Sequence, residues 1–492
     1  MRKYLDYNYY LNNKNIIIYI KRIINNYKYI KHNIPTNYSF KNKYLNKHQK
    51  EAIFTSENNT LVLASAGSGK TFLIEAKIDY LIKHGVNKKD ILVLSFTNNS
   101  VNDLKNKIGN DIDIFTFHKL ATKIISDYKF NYKITSDYLS YIVTEIFLSI
   151  CKSISSKDLI FFNREITSFI NLYKSYYSSS SYLDKISKKS NNKLIKLINK
   201  IYYIYEEELR SQGLIDLNDL INLSINLINK YGLKRYYKYI IIDEFQDISI
   251  IRYKLIKIIK ESCNSNIFAV GDDYQSIYKF SGSNINLITK FKKYFGYTKI
   301  IKLDKTFRNS YELIKASTKF INRNKNQISK KIYSDNHINK PIKIIYYKKN
   351  MDIKLERILD LGNDYTILIR NNSDINYVLN KNISINDNKI IYNNKEYIFM
   401  TIHKSKGLEF NNIILLRLED SLYGFPNKKE DKIKRIIVPK DKYLYEEERR
   451  LFYVSLTRSK NNVYILVNKE KPSIFIKELL TYSKKYIEEL DL

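Results

Sequence analysis

The run Ala64-Ser65-Ala66-Gly67-Ser68-Gly69-Lys70-Thr71 sets small, flexible residues directly before a cation and a hydroxyl. Glycines at this spacing let backbone N–H groups close around an anion at a helix N-terminus. A lysine there reaches β- and γ-phosphates, and the next hydroxyl gives Mg²⁺ an oxygen. The run therefore reads as a phosphate-binding loop, with Lys70 on the phosphates and Thr71 on the metal. Ala64 stands at the first glycine of the general G-x-x-x-x-G-K-[ST] pattern, so the bare pattern misses it. A Gly/Ser turn with an incidental lysine is the competing reading, and the strand-like stretch before the run and helical pattern after it weigh against that. A second cluster, Asp243-Glu244-Phe245-Gln246-Asp247, follows the apolar Ile240-Ile241-Ile242. A carboxylate at a strand tip beside a phosphate loop can hold Mg²⁺, the role assigned to Asp243. Its neighbour Glu244 can accept a proton from an attacking water. An acidic loop alone is usually solvated surface; Lys70 and Thr71 make this one specific.

Such clusters need strands to present them. Thr60 to Ala64, Ile91 to Ser95, Tyr239 to Ile242 and Ile267 to Val270 are continuous apolar runs, and a helical pattern spans Thr71 to Ile82. Apolar strands alternating with helices indicate a parallel sheet covered on both faces, with ligands gathered at the strand carboxyl ends. Both clusters begin at such ends.

The chain of 492 residues, 44% of them hydrophobic, has room for about three domains at roughly 150 residues each. Its net charge of +34 points to a polyanionic partner, nucleic acid first. Lys, Asn, Ile and Tyr dominate and all have A/T-rich codons, so about half of that excess is assigned to base composition. Cys151 and Cys263 lie far apart with no Cys or His at ligand spacing, which argues against a disulfide framework and a structural metal, and implies a reducing compartment. The longest apolar run near the start, Ile16 to Ile20, is too short for a signal-peptide core or a membrane span. A soluble intracellular protein with no membrane association is expected, not a secreted one.

A longer series becomes visible once these clusters are fixed. It comprises Gln49, Ala64 to Thr71, Ser95-Phe96-Thr97-Asn98, Thr116-Phe117-His118, Asp243 to Asp247, Gly271-Asp272-Asp273-Tyr274-Gln275-Ser276-Ile277-Tyr278 and Thr306-Phe307-Arg308. Thr401-Ile402-His403-Lys404-Ser405-Lys406-Gly407-Leu408-Glu409-Phe410 and Glu448-Arg449-Arg450-Leu451-Phe452-Tyr453-Val454-Ser455-Leu456-Thr457-Arg458 complete it. In order and spacing it resembles the helicase motif series of the UvrD/Rep family of superfamily 1, over roughly residues 45 to 470. One such motif alone has little weight; the ordered series is specific.

The resemblance implies ATP and Mg²⁺ as cofactors and carries a role to each matching residue. The loop from Ala64 through Ser65, Ala66, Gly67, Ser68 and Gly69 to Thr71 cradles the nucleotide. Gln49 resembles the glutamine that reads the adenine edge with one donor and one acceptor, and Phe307 the aromatic that stacks on the base. Arg308 and Arg458 resemble arginine fingers, always-charged forks that stabilise the transferring phosphoryl group. A lone arginine would be read as a surface ion pair. Gln275 resembles the γ-phosphate sensor and Glu409 a ribose contact. Phe96, Phe117, His118, Tyr278 and Phe280 fall where the family places side chains near single-stranded bases, and stacking suits a motor indifferent to sequence. Thr97, Asn98, Thr116 and Thr401 would bond phosphates, with His403 beside them. Phe280 stands where the family usually carries Trp, and Ser281 where it usually carries Arg. With 45 Tyr and 23 Phe some aromatics reach such positions by chance, and Phe96 fits a core equally well.

Spacing sets the expected architecture: two RecA-like parallel α/β lobes with ATP between them, and a helical insertion in the first. The first lobe is placed at residues 45–300, with the insertion at about 125–215 between His118 and Asp243. The second lobe is placed at 301–480, the tail at 481–492, and an extension at 1–44 whose composition leaves room for a helix or two and whose role stays open. The stretch from Arg370 to Thr401 falls below the ~50 residues of a small domain, so the family's second large insertion is expected to be missing. The residues after Arg458 are too few for a fused nuclease. The expected activity is 3′-to-5′ translocation on single-stranded DNA with unwinding of tailed duplexes, in repair, replication or recombination. An accessory protein would support processive unwinding, because in the family the missing domain meets the duplex. An ATPase that remodels nucleoprotein complexes without unwinding is the alternative, and a non-catalytic DNA-binding module a third reading that Lys70, Asp243 and Glu244 disfavour. An RNA substrate stays open, since no residue here reads the 2′-hydroxyl.

Overall fold

The computed structural model describes residues 39–150, 153–429, 431, 433–438, 441 and 443–492. Of the extension at 1–44, residues 39–44 are described and form an antiparallel strand pair, Ser39↔Tyr44 and Phe40↔Lys43, in place of helix; the rest of it and Cys151 lie outside the described residues. Apolar runs become β1 (Asn59–Ala64), β2 (Ile91–Ser95), β3 (Asp113–Thr116), β4 (Tyr239–Ile242), β5 (Asn266–Gly271) and β6 (Lys299–Leu303). They form one all-parallel sheet in the order β6-β1-β5-β4-β2-β3. Alternation along each strand feeds two cores. Leu61, Leu63, Leu92 and Leu94 face one side, and Val62, Ala64, Val93 and Ile241 the other. Because every strand runs the same way, the loops after Ala64, Ser95, Thr116, Ile242 and Gly271 share one edge.

The second sheet joins β7 (Ile342–Tyr347), β8 (Tyr365–Ile369), β9 (Ser384–Asn386), β10 (Lys389–Tyr392), β11 (Lys395–Thr401), β12 (Asn412–Leu418), β13 (Val463–Asn468) and β14 (Ile487–Leu490). Its order is β9-β10-β11-β8-β12-β13-β7-β14, parallel except along the antiparallel run β9 to β11. That run fills the stretch between Arg370 and Thr401. Its turns place Asp387, Asn393 and Asn394 at positive φ, where short polar side chains are tolerated.

Two expected boundaries move. The limit at residue 300 would cut β6, which pairs with β1 from Lys299↔Thr60 to Leu303↔Ala64 and so belongs to the first sheet. The tail at 481–492 is an edge of the second sheet, Ile487 opposite Ile342, because Tyr486 and Ile487 bury their apolar surface in that core.

Helices Tyr138–Ile150, Ser156–Tyr176, Ser181–Lys189 and Lys193–Ser211 make the insertion, around a core holding Phe169, Tyr173 and Tyr205. Ser155 and Asn192 cap two of them by accepting N–H bonds. Tyr274 of the first lobe shares a small apolar cluster with Ile314, Ile321, Ile332 and Tyr453, which ties the two lobes together. Among the described residues no helix is long and apolar enough to cross a membrane.

Candidate functional site

β1 ends at Ala64, and the helix Lys70–Lys83 starts on Gly69, which has no side chain to cap it. The first-turn N–H groups thus have no side-chain cap and border the loop, as an anion-binding helix start requires. Gly67 (φ +70°) and Gly69 (φ +82°) occupy the left-handed region that other residues rarely adopt. A Cβ on Gly67 would lie 2.4 Å from the Arg308 Cβ and 2.7 Å from Thr306 Oγ1. This close approach lets the segment 306–308 ride on the loop. Thr306 Oγ1 donates to the Ala66 carbonyl at 2.8 Å, and the Phe307 N–H to the Gly67 carbonyl at 2.8 Å. Arg308 is thereby fixed on the flank of the loop. Ser68 Oγ donates to the Ser65 carbonyl at 2.8 Å. Gln49 is buried, its Oε1 accepting the Asn46 N–H at 3.0 Å and its Nε2 turned toward Gly69. Phe307 is 56% exposed, with the Lys305 ammonium 5.3 Å from its ring centre.

Lys70 Nζ pairs with Glu244 Oε1 at 2.7 Å. Glu244 sits at φ +50°, uncommon for a non-glycine residue and a mark of a position fixed by its surroundings. Burial opposes its charge, but Lys70 and then Lys406 outweigh it and hold its carboxyl down at about 2. Gln246 Nε2 also donates to Glu244 Oε2, and Gln246 Oε1 accepts the Asp272 N–H at 2.9 Å. A Cβ on Gly271 would meet Gln246 Oε1 at 2.6 Å, so the glycine makes room for this bridge.

The second lobe supplies the facing cations. Arg458 is 1% exposed; its Nη2 donates to Gln275 Oε1 at 3.0 Å and its Nη1 to the Leu408 carbonyl at 3.2 Å. Gln275 Nε2 donates in turn to Asp272 Oδ2 at 2.7 Å. Arg308 Nε donates to Glu409 Oε2 at 3.0 Å, and Glu409 also pairs with Lys460 at 2.9 Å. Glu409, expected at a ribose, here anchors Arg308.

Two observations test whether polyphosphate and a divalent cation suit this cleft. Burial, and then the like charge of Arg308, push Arg458 down to about 9. Asp243 is pushed up to about 7 by burial and then by Glu244. Arg458 is thus held by an amide and backbone carbonyls in place of an anion, while the Asp243 carboxylate accepts a backbone N–H beside the like charge of Glu244. A nucleotide polyphosphate with Mg²⁺ on the hard oxygens of Thr71 and Asp243 corrects both imbalances, so the residues fit these groups.

Beside the cleft lies an aromatic face. Phe96 and Tyr278 stack with centroids 5.6 Å apart and planes 7° apart, and Phe280 meets Tyr278 at 5.9 Å and His403 at 5.5 Å, both edge-on. Phe280 is 55% exposed. Thr97, Thr116 and Thr401 each accept a backbone N–H three residues on, the first two as helix caps, so their places at the strand ends are fixed by local bonding. Asn98 is exposed at the start of its helix. Burial, then Arg252, lowers His118 to about 4; burial, then Arg370, lowers His403 to about 4. Phe117 departs from expectation. It is 3% exposed, in the same core as Leu120 and Ile124, so it is a packing residue and not a base contact. The reason is periodicity: position 117 starts a helix whose residues 117, 120, 121, 124 and 125 form the buried stripe. Phe96, for which core and surface were both open, stands half-buried under Tyr278, with the Arg252 guanidinium 4.8 Å from its ring.

The cleft also contains residues that carried no role in the sequence reading. Gln246 and Lys406 lie inside motifs already quoted, so their neighbours were the signal. Lys406 Nζ bonds both Asp247 oxygens, at 2.7 and 2.6 Å, and the Gln275 carbonyl at 2.7 Å, while standing 4.6 Å from the Tyr278 ring centre. It therefore touches the acidic loop, the Gln275 backbone and the aromatic face at once. Lys330 pairs with Asp272 and Asp273 from a segment with no motif, and nothing in its sequence neighbourhood marks it.

Two family models match the chain. The model of the UvrD/REP helicase N-terminal domain matches residues 45–296, and that of the UvrD-like helicase C-terminal domain matches residues 354–470. DNA helicase IV of Escherichia coli (strain K12) is 27% identical over 481 residues, covering 88% of this chain and 70% of that protein. The ATP-dependent DNA helicase Rep of Buchnera aphidicola subsp. Baizongia pistaciae is 32% identical, covering 67% of this chain and 52% of its own length. The ATP-dependent DNA helicase PcrA of Bacillus subtilis (strain 168) is 26% identical, covering 75% and 55%. The chain thus spans about half the length of these last two.

Proposed function

Because the chain belongs to the UvrD/REP family of ATP-dependent DNA helicases, we propose that it hydrolyses ATP between its lobes to move 3′-to-5′ along single-stranded DNA. The observation that carries this reading is the meeting of Lys70 and Glu244 from one lobe with Arg308 and Arg458 beside them, and an aromatic face on the same edge. Glu244, held ionised, accepts the proton of an attacking water. Lys70, Arg308 and Arg458 stabilise the charge that develops on the transferring phosphoryl group, and Gln275 reports its presence to Arg458. Gln49 and Phe307 hold the base by edge and face. Thr71 and Asp243 would hold Mg²⁺, which when bound neutralises phosphate charge. Lys406 joins hydrolysis to movement, because closure of the lobes cannot shift Asp247 or Gln275 without moving the cation against Tyr278. Phe96, Tyr278 and Phe280 stack on bases, with Thr97, Asn98, Thr116, Thr401, His118 and His403 along the strand's path.

A second reading, remodelling of nucleoprotein complexes without strand separation, draws support from the short antiparallel run β9 to β11 standing where a domain-sized insertion would be. Translocation needs only the two lobes, so unwinding by the lone chain is expected to be short-ranged. ATPase rates with and without single-stranded DNA test the motor. Matched duplexes with 3′ or 5′ tails, under single-turnover conditions at low salt, then test direction and strand separation. Preference for the 5′ tail overturns the polarity, and ATPase without unwinding of either tail favours remodelling.

A further inference from the structure

Lys330 stands in the segment that joins the helix Tyr311–Ile321 to β7, near Ile328, which packs on the first-lobe core, and its side chain is 1% exposed. It bonds Asp272 Oδ1 and, at 2.7 Å, Asp273 Oδ1, both in the first lobe, and lies 3.7 Å from the Tyr274 ring centre. The other oxygen of Asp272 accepts from Gln275 Nε2 at 2.7 Å, and Gln275 Oε1 accepts from Arg458 Nη2 at 3.0 Å. Four side chains thus form an unbroken buried series from Lys330 to Arg458. We propose that Lys330 is a positioning residue for ATP hydrolysis: by pairing with Asp272, it fixes the Gln275 amide with its oxygen toward Arg458. The inference rests on the roles given above to Gln275 and Arg458.

The Gln275 amide is nearly symmetric in shape. Its oxygen and NH₂ ends have almost the same shape, so only their partners decide which way it points. An ionised Asp272 can only accept, which draws Nε2 toward it and leaves Oε1 for the guanidinium. Asp272 and Asp273 are adjacent and fully buried. Without the Lys330 ammonium the Asp272 carboxylate loses the cation on its Oδ1, and its Oδ2 is no longer held toward Nε2. With that acceptor displaced the amide is free to turn, and its NH₂ then opposes Arg458. Asp273 serves as an internal control, because its Oδ2 accepts the Ile328 N–H at 2.8 Å and it makes no bond to Gln275.

The test compares Lys330→Met, Gln275→Ala, the double variant and Asp273→Asn in the full chain, by kcat and KM for ATP at saturating oligothymidylate, with Tm alongside. Lys330→Met is expected to lower kcat roughly 10- to 100-fold, the range for a misplaced catalytic group, with KM within about threefold. Against Gln275→Ala the same change is expected to lower kcat less than about twofold, because the residue it acts through is gone. Asp273→Asn lowers Tm with kcat within about twofold. Equal losses in both backgrounds, or kcat losses in Asp273→Asn matching those of Lys330→Met, overturn the proposal. If Lys330→Met does not fold, Asp272→Asn reads the same link by the same cycle. Failure of the wild-type chain to hydrolyse ATP would instead remove the proposed function.

Discussion

The nucleotide cleft and the aromatic face lie on one edge of the same sheet and are built from opposite materials. In the cleft the cationic side chains are buried or nearly so, and each is held by a carboxylate or an amide: Lys70 by Glu244, Arg458 by Gln275, Lys406 by Asp247. On the face, Phe96, Tyr278 and Phe280 touch through ring planes and edges, and Phe280 is open to solvent. Charge stabilisation demands groups fixed within tenths of an ångström in a dry setting, whereas stacking tolerates any base and gains from exposure. Substitutions in the cleft should therefore act steeply on turnover and weakly on binding, and those on the face the other way.

The largest expected effect is at Lys70. Lys70→Ala should abolish measurable ATP turnover, because it removes the phosphate contact and also the partner that keeps Glu244 ionised, while affinity for a fluorescent oligothymidylate stays within about threefold. Turnover near the wild-type rate in this variant removes the motor reading altogether. Arg458→Ala comes next, with kcat lower by on the order of 10³-fold and a smaller change in nucleotide affinity. Loss of nucleotide binding with kcat preserved would make that arginine a structural tie for Gln275.

The face predicts smaller and differently directed changes. Tyr278→Ala and Phe280→Ala should each weaken single-strand binding by about 1–3 kcal/mol, the range for one stacked base, with the basal ATPase rate nearly unchanged. Phe117→Leu draws the boundary of that face. As a core residue it should lower stability by about 1 kcal/mol and leave single-strand affinity within about twofold. A loss of DNA affinity in Phe117→Leu like that of Phe280→Ala would restore Phe117 to the face.

The same contrast explains what the sequence disclosed. The phosphate loop is contiguous, and each residue from Gly67 to Thr71 owes its role to local backbone geometry, so the motif implied the structure. The strands were legible for a similar reason, since burial on both faces leaves unbroken apolar runs such as Leu61 to Ala64. Phe117 was misassigned because an aromatic at a strand end fits both a stacking site and the first turn of an amphipathic helix, and only the stripe at 120, 121, 124 and 125 separates them. Residues 299–303 and 487–490 joined sheets that begin far away in sequence, a pairing no local pattern encodes. Lys330 was invisible because a lysine in a basic chain reads as surface until two buried carboxylates are found against it.

The smallest expected effect tests whether the face is free of titrating charge where it meets DNA. His403 touches Phe280 edge-on, and burial together with Arg370 and Lys406 lowers its pKa to about 4. Its ordinary value lies near neutrality, so the folded chain holds it neutral down to about pH 5. A neutral imidazole adds no phosphate attraction as pH falls from 8 to 6. Other groups near the track do titrate in that window, among them Asp247, pushed up to about 6 by burial, and Glu447, pushed up to about 7 by burial. The wild-type affinity alone therefore cannot isolate His403. The informative quantity is the ratio of single-strand dissociation constants for His403→Gln and wild type, measured at pH 8, 7 and 6 in fixed salt. That ratio should stay constant within about 1.5-fold, since the substitution removes a neutral ring at every pH tested. A ratio that grows several-fold toward pH 6 would mean that the imidazole gains its proton on the bound strand, and His403 would then belong with the charged cleft and not with the stacking face.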